Sequence, residues 1–182
     1  GFISTIADLR FFDDAGNEVD ASQPGQSGEI WIKSSANVNG YWQRPEANAS
    51  DFKDGWFVTG DVGYLDEHKC LHICDRIKDI VIRGGENIYP IEIENLIQSL
   101  KGVISVAAFA VPSESLGEEL AMVIRSSEDS ELSEQQVIRH CKEHLAGYKV
   151  PSFVRFTHSA LAVNATNKLL KKQIRNEYFP EA

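Results

Sequence analysis

Polar and apolar positions alternate over short stretches in the first part of the chain, and from about Asp75 onward they cluster at helical spacing. Residues 9–12 read as a strand stopped by the turn-forming cluster Asp13-Asp14-Ala15-Gly16-Asn17. Pro24-Gly25-Gln26-Ser27-Gly28 predicts a turn feeding a half-buried strand, Glu29-Ile30-Trp31-Ile32-Lys33. An irregular loop from Gly40 leads to Pro45-Glu46-Ala47, which opens a short helix because Pro suits a first turn. Strands over 55–59 and 63–66 are expected to flank a tight bend at Gly60-Asp61, and a strand over 71–74 completes a small, distorted antiparallel barrel.

Beyond residue 75 the pattern predicts a short strand over 80–82. A helix follows from Pro90 to Leu100, with its stripe at Ile93, Leu96, Ile97 and Leu100 and its end marked by Lys101-Gly102. The apolar run 103–111 is a buried strand with a partner over 120–125, and 113–119 is expected to be a loop of variable conformation. Ser133-Glu134-Gln135-Gln136 matches a capping box for a helix ending near Leu145. A third strand over 154–156 and a terminal helix over 169–178 complete an α+β lobe with a three-stranded sheet.

Charge narrows the function. The net of −9 excludes a general nucleic-acid binder, which needs a cationic surface. Residues 1–75 hold 5 Lys/Arg and 13 Asp/Glu, a net of −8, against 13 and 14, a net of −1, over 76–182, so the change coincides with the change in pattern. No apolar run approaches the eighteen or so residues of a membrane span, and the apolar start carries no basic leader of a secretory signal. Cys70, Cys74 and Cys141 cannot all pair with one another, which fits a reduced, cytoplasmic setting.

Five groups of residues are candidates for chemistry. Asp61 has a short carboxylate able to accept both hydroxyls of a ribose, or else to close an Asx-turn on its own backbone. Arg76 and Lys78 share a face if their segment is extended, where they can meet phosphate or ribose oxygens or pair with Asp75 and Asp79. Gly84-Gly85 allows positive φ, serving either close approach to a ligand or a hairpin turn. Lys168 precedes the basic stretch Lys171, Lys172, Arg175; its ammonium can meet a carboxylate and an α-phosphate, or simply face solvent. His140 and His144 sit four apart, a spacing that grips a metal. With no third ligand evident they read as a solvated helix face, so no metal-binding residue is assigned.

Taken in order, Thr59-Gly60-Asp61, Asp75-Arg76-Ile77-Lys78-Asp79, Gly84-Gly85-Glu86-Asn87-Ile88-Tyr89-Pro90 and Lys168 resemble the adenylate-forming (AMP-dependent synthetase and ligase) superfamily from about Val19 to Arg175. The wording around Gly84-Gly85 is most like an acyl-CoA synthetase. The resemblance implies that residues 1–74 are the last β-subdomain of a large N-terminal adenylation domain, 75–79 a hinge, and 80–182 a mobile C-terminal domain. It implies that Asp61 binds the ribose of ATP or AMP, Arg76 contacts the adenylate and Asp75 is the pivot. It further implies that Gly84, Gly85 and Glu86 line the tunnel for the pantetheine arm of CoA, and that Lys168 is catalytic in acyl-adenylate formation. The substrates implied are a small-molecule carboxylate, ATP and CoA, with Mg²⁺ carried mainly by the ATP phosphates. The superfamily's phosphate loop is missing from the sequence, so the N-terminal domain is expected upstream and this piece alone is expected to be inactive. Two alternatives stay open, a peptide-synthetase adenylation domain delivering to a carrier protein and a non-catalytic docking lobe. The superfamily's Pro-x-x-x-x-Gly-Lys motif has Ala162 and Asn167 here in place of Pro and Gly, and Asn tolerates the left-handed turn best among non-glycine residues.

Overall fold

Strands β1 (Ala7–Phe12), β2 (Gly28–Ser34), β3 (Phe52–Lys53), β4 (Trp56–Leu65) and β5 (Leu71–Arg76) form an antiparallel sheet in the order β1-β2-β4-β3, with β5 also paired to β4. This is the expected barrel-like element, a curled half-barrel. The computed structural model describes residues 1–23 and 26–180, which divide into units 1–78 and 79–182. Pro24 and Gly25 of the expected turn before β2 lie outside the described residues. Helix α1 (Pro45–Asp51) begins at its proline as predicted. The Asn48 side-chain amide ties the preceding loop to it, accepting from the Tyr41 N–H at 2.6 Å and donating to the Tyr41 carbonyl at 3.0 Å. The core of this unit is small: Phe11, Ala21 and Ile30, with Leu9, Val19, Ile32, Leu65 and Leu71 packed around them.

The second unit is built on β6 (Val81–Arg83), β7 (Glu86–Ile88), β8 (Val103–Ser113), β9 (Gly117–Ser126) and β10 (Phe153–Thr157). These form a five-stranded sheet rather than the three strands expected, ordered β10-β9-β6-β7 with β8 on β9. β6 answers to the short strand expected over 80–82, whereas β7, with polar Glu86 and Asn87 before Ile88, has no apolar run to mark it. Among the described strands only β10 runs parallel to its neighbour. Helices α2 (Pro90–Gln98), α3 (Glu134–His144) and α4 (Lys171–Tyr178) complete the unit.

Strands β8 and β9 are buried on both faces, which is why they read as continuous apolar runs. Val106, Ala108, Leu120, Met122 and Ile124 pack with Ile93 and Ile97 of α2 and Val137 and Cys141 of α3. Ala107, Phe109, Val111, Ala121 and Val123 face the other way, against Ile174 of α4. Each fully buried Ile contributes about 1.5–3 kcal/mol of apolar transfer. The capping box of α3 is formed in both directions: the Ser133 hydroxyl accepts from the Gln136 N–H and the Gln136 amide oxygen accepts from the Ser133 N–H. The expected loop over 113–119 is instead a tight hairpin, with Ser113 paired to Gly117 and Gly117 at φ +77°. No helix among the described residues is long and apolar enough to cross a membrane.

Candidate functional site

The bend expected at Gly60-Asp61 does not exist. Strand β4 continues through it without reversing, because β2 pairs with it on both sides: Trp31 opposite Val58 and Glu29 opposite Val62. Thr59, Gly60 and Asp61 therefore bulge outward against a single residue, Ile30. Gly60 supplies the positive φ, +69°, that the bulge requires. The Thr59 hydroxyl seals it, donating to the Ile30 carbonyl at 2.7 Å and accepting from the Asp61 N–H at 3.0 Å.

The bulge turns Asp61 toward Arg76, its neighbour on β5. Arg76 Nε lies 2.9 Å from Asp61 Oδ1, close as an ion pair yet not aligned as a hydrogen bond, while its Nη2 donates to the Thr59 carbonyl at 3.2 Å. Both side chains stay partly exposed, 32% for Asp61 and 40% for Arg76. The carboxylate thus keeps acceptor capacity for a ligand. Asp75 is buried and its carboxylate accepts the Arg76 N–H at 2.8 Å. The extended run ends at Arg76, and Lys78 falls in a 3₁₀ turn, Ile77–Asp79, so Arg76 and Lys78 do not share a strand face as the sequence suggested.

Within the second unit, Gly84-Gly85 is a two-residue hairpin turn between paired Arg83 and Glu86. Both glycines have positive φ, +59° and +90°, as such a turn demands. A Cβ on Gly85 would touch nothing, so backbone conformation rather than crowding selects glycine there. Glu86 is exposed beside the turn. Residues that no local motif singles out anchor the hairpin. The Gly84 N–H donates to the Leu116 carbonyl at 2.9 Å, and the Ile82 N–H to Glu118 Oε2 at 2.8 Å. The Arg83 guanidinium donates to the carbonyls of Tyr148 and Val150 and to the Ser152 hydroxyl. Their partners are far away in sequence, beyond the reach of any local motif.

Lys168 stands at the end of a loop closed by the Val163–Leu169 bridge. The Asn164 side-chain oxygen gathers the N–H groups of Thr166 and Lys168, at 3.0 and 2.8 Å, and the Thr166 hydroxyl at 2.8 Å. Asn167 occupies the left-handed position, φ +62°, where the superfamily motif has Gly. Lys168 is exposed and takes part in none of the ion pairs among the described residues. Lys171 differs: its ammonium lies 2.8 Å from Glu94 Oε1, an oxygen that also accepts the Ala108 N–H. The basic stretch is therefore not uniformly solvated. None of the three cysteines is in a disulfide, and burial pushes the Cys141 thiol up to about 11.

Comparison with known proteins identifies the class. Residues 92–168 match the AMP-binding enzyme C-terminal domain. The chain is 45% identical over 151 residues to "Long-chain-fatty-acid--CoA ligase FadD13" of Mycobacterium tuberculosis, covering 83% of this chain and 30% of that protein. Among solved structures it resembles ATP-bound MatB from Rhodopseudomonas palustris, with a TM-score of 0.86, 35% identity, and coverage of 98% of this chain and 35% of that one. It also resembles o-succinylbenzoate CoA synthetase (MenE) from Bacillus subtilis in complex with the acyl-adenylate intermediate, with a TM-score of 0.85, 32% identity, and coverage of 94% and 34%. The chain belongs to the adenylate-forming superfamily, and it matches the C-terminal part of these enzymes. It spans about a third or less of the length of the relatives it matches.

Proposed function

We propose that this chain is the C-terminal part of an ATP-dependent acyl-CoA synthetase. The whole enzyme converts a carboxylate and ATP to an acyl-adenylate and pyrophosphate, then passes the acyl group to the CoA thiol. Asp61 takes the ribose hydroxyls, and Arg76 holds that carboxylate and contacts the adenylate. Lys168 bridges the carboxylate substrate and the α-phosphate, stabilising charge that builds on phosphoryl oxygens during adenylation. Asp75 is the pivot, and movement about it replaces Lys168 with the turn at Gly84, Gly85 and Glu86, which lines the path of the pantetheine arm. Mg²⁺ enters with the ATP phosphates, and cysteines at 70, 74 and 141 that form no disulfide fit a cytoplasmic setting.

The observation that carries this reading is the bulge, a partly exposed carboxylate at Asp61 fixed beside a guanidinium and left with unused acceptor positions. Support for CoA over a carrier protein comes from the relatives, which are named as CoA ligases. In the polypeptide that joins this chain to its N-terminal domain, Lys168→Ala depresses pyrophosphate release while sparing thioester formation from supplied acyl-AMP. Equal loss in both half-reactions would refute the division of labour. The 182-residue chain alone releases negligible pyrophosphate from ATP and varied carboxylates, and turnover at ordinary enzyme rates would refute the need for the upstream domain.

A further inference from the structure

We infer that the last turn of α3 is a metal site, in which His140, Glu143 and His144 hold one borderline divalent transition cation such as Zn²⁺. Positions i, i+3 and i+4 lie on one face of a helix, and here one ligand atom from each of the three residues lies within 4.8 Å of the others. Glu143 is the third donor that the spacing of the two imidazoles does not reveal. On a charged helix a carboxylate reads as a solvent group until the backbone sets it beside them.

Two further observations show the imidazoles ready for a ligand. His144 Nδ1 lies 2.9 Å from the His140 carbonyl. A carbonyl only accepts, so Nδ1 is the donor, and in the neutral ring this leaves Nε2 its lone pair, the arrangement found where a backbone oxygen orients a metal-binding histidine. His140 Nε2 is shut off from solvent and has no hydrogen-bond partner. Buried polar nitrogens are rarely left so, and a coordinated cation satisfies this one. The two rings are 4.3 Å apart between centroids, and Glu143 enters none of the ion pairs among the described residues.

The donor chemistry chooses the ion. Two imidazoles and one carboxylate suit Zn²⁺, Ni²⁺ or Cu²⁺ rather than Mg²⁺ or Ca²⁺, which want oxygen ligands throughout. The site also lies at the C-terminal end of α3, where the helix dipole favours positive charge. The remaining coordination positions go to water or to an external ligand, so the ion clips the helix end without enclosing it. Cys141 lies between these residues in sequence but is buried in the core and stays out of the site.

The test uses the chain purified without a polyhistidine tag, titrated with Zn²⁺ in metal-free buffer by calorimetry. One Zn²⁺ per chain is expected, with affinity reduced about tenfold or more by His144→Ala, the scale on which even outer-shell changes act, and by a smaller factor in Glu143→Gln. His144 is exposed, so its variant keeps the fold, checked by circular dichroism. Cu²⁺ serves as a second probe: its paramagnetic resonance spectrum should show two coupled nitrogens in the parent chain and one in His144→Ala. Absence of stoichiometric uptake overturns the inference. So does Zn²⁺ affinity or a nitrogen count unchanged by His144→Ala, which would put the ion elsewhere, for instance at the thiols of Cys70 and Cys74.

Discussion

Thr59 shows how one hydroxyl positions a site. Thr59→Val keeps its shape but removes the hydroxyl that bonds both the Ile30 carbonyl and the Asp61 N–H, at a cost of about 1–3 kcal/mol in urea denaturation. Thr59→Ser, which retains the hydroxyl, should recover most of the loss. Asn167 sits at φ +62°. Asn167→Gly should leave stability within about 0.5 kcal/mol, whereas Asn167→Val should lower it by about 1–2 kcal/mol, read as a melting shift. Cys141 gives a pH signature. Burial raises its folded value from 9.0 to about 11, so the unfolded thiol ionises first. The stability it contributes is intact below pH 9 and is lost as pH rises through about 11, with a slope of at most about 1.4 kcal/mol per pH unit. Denaturation midpoints at neutral pH and above pH 10 should diverge more in the parent chain than in Cys141→Ala.

At the scale of elements, α4 is tied to α2 by one partly buried ion pair, Lys171 with Glu94, both side chains at 20% exposure or less. Glu94 also accepts the Ala108 N–H of β8, so one carboxylate joins three elements. Lys171→Met removes the cation and leaves a poorly solvated carboxylate. Removing one partner of a buried pair costs more than removing both, so Lys171→Met should be less stable than Lys171→Met combined with Glu94→Gln. Equal stability of the two in chemical denaturation would show that the pair behaves as a solvated surface contact.

Across the whole molecule, the two units are unequally furnished. Unit 1–78 rests on the small cluster around Phe11, Ala21 and Ile30, while unit 79–182 fills both faces of β8 and β9. Burial of apolar area is the main source of stability, so the first unit should unfold at lower guanidinium concentration. The chain's three tryptophans, Trp31, Trp42 and Trp56, all lie in the first unit, whereas α2, α3 and α4 lie in the second. Tryptophan fluorescence should therefore change before helical circular dichroism. Coincident transitions would mean that the units unfold as one.

What the sequence decided on its own was whatever depends on neighbours along the chain. Pro45 and Pro90 open helices, Ser133 and Gln136 cap one, and the apolar run 103–111 is a strand buried on both faces, because stereochemistry and periodicity act over a few residues. Tertiary pairing decided the rest. A glycine with positive φ permits either a reversal or a bulge, and only the pairing of β2 on both sides of Thr59–Asp61 made it a bulge that aims Asp61 at Arg76. Likewise Lys168 and Lys171 look alike within one basic stretch. Distant Glu94 engages the second and leaves the first exposed, because a charge goes where the folded chain brings its counter-charge.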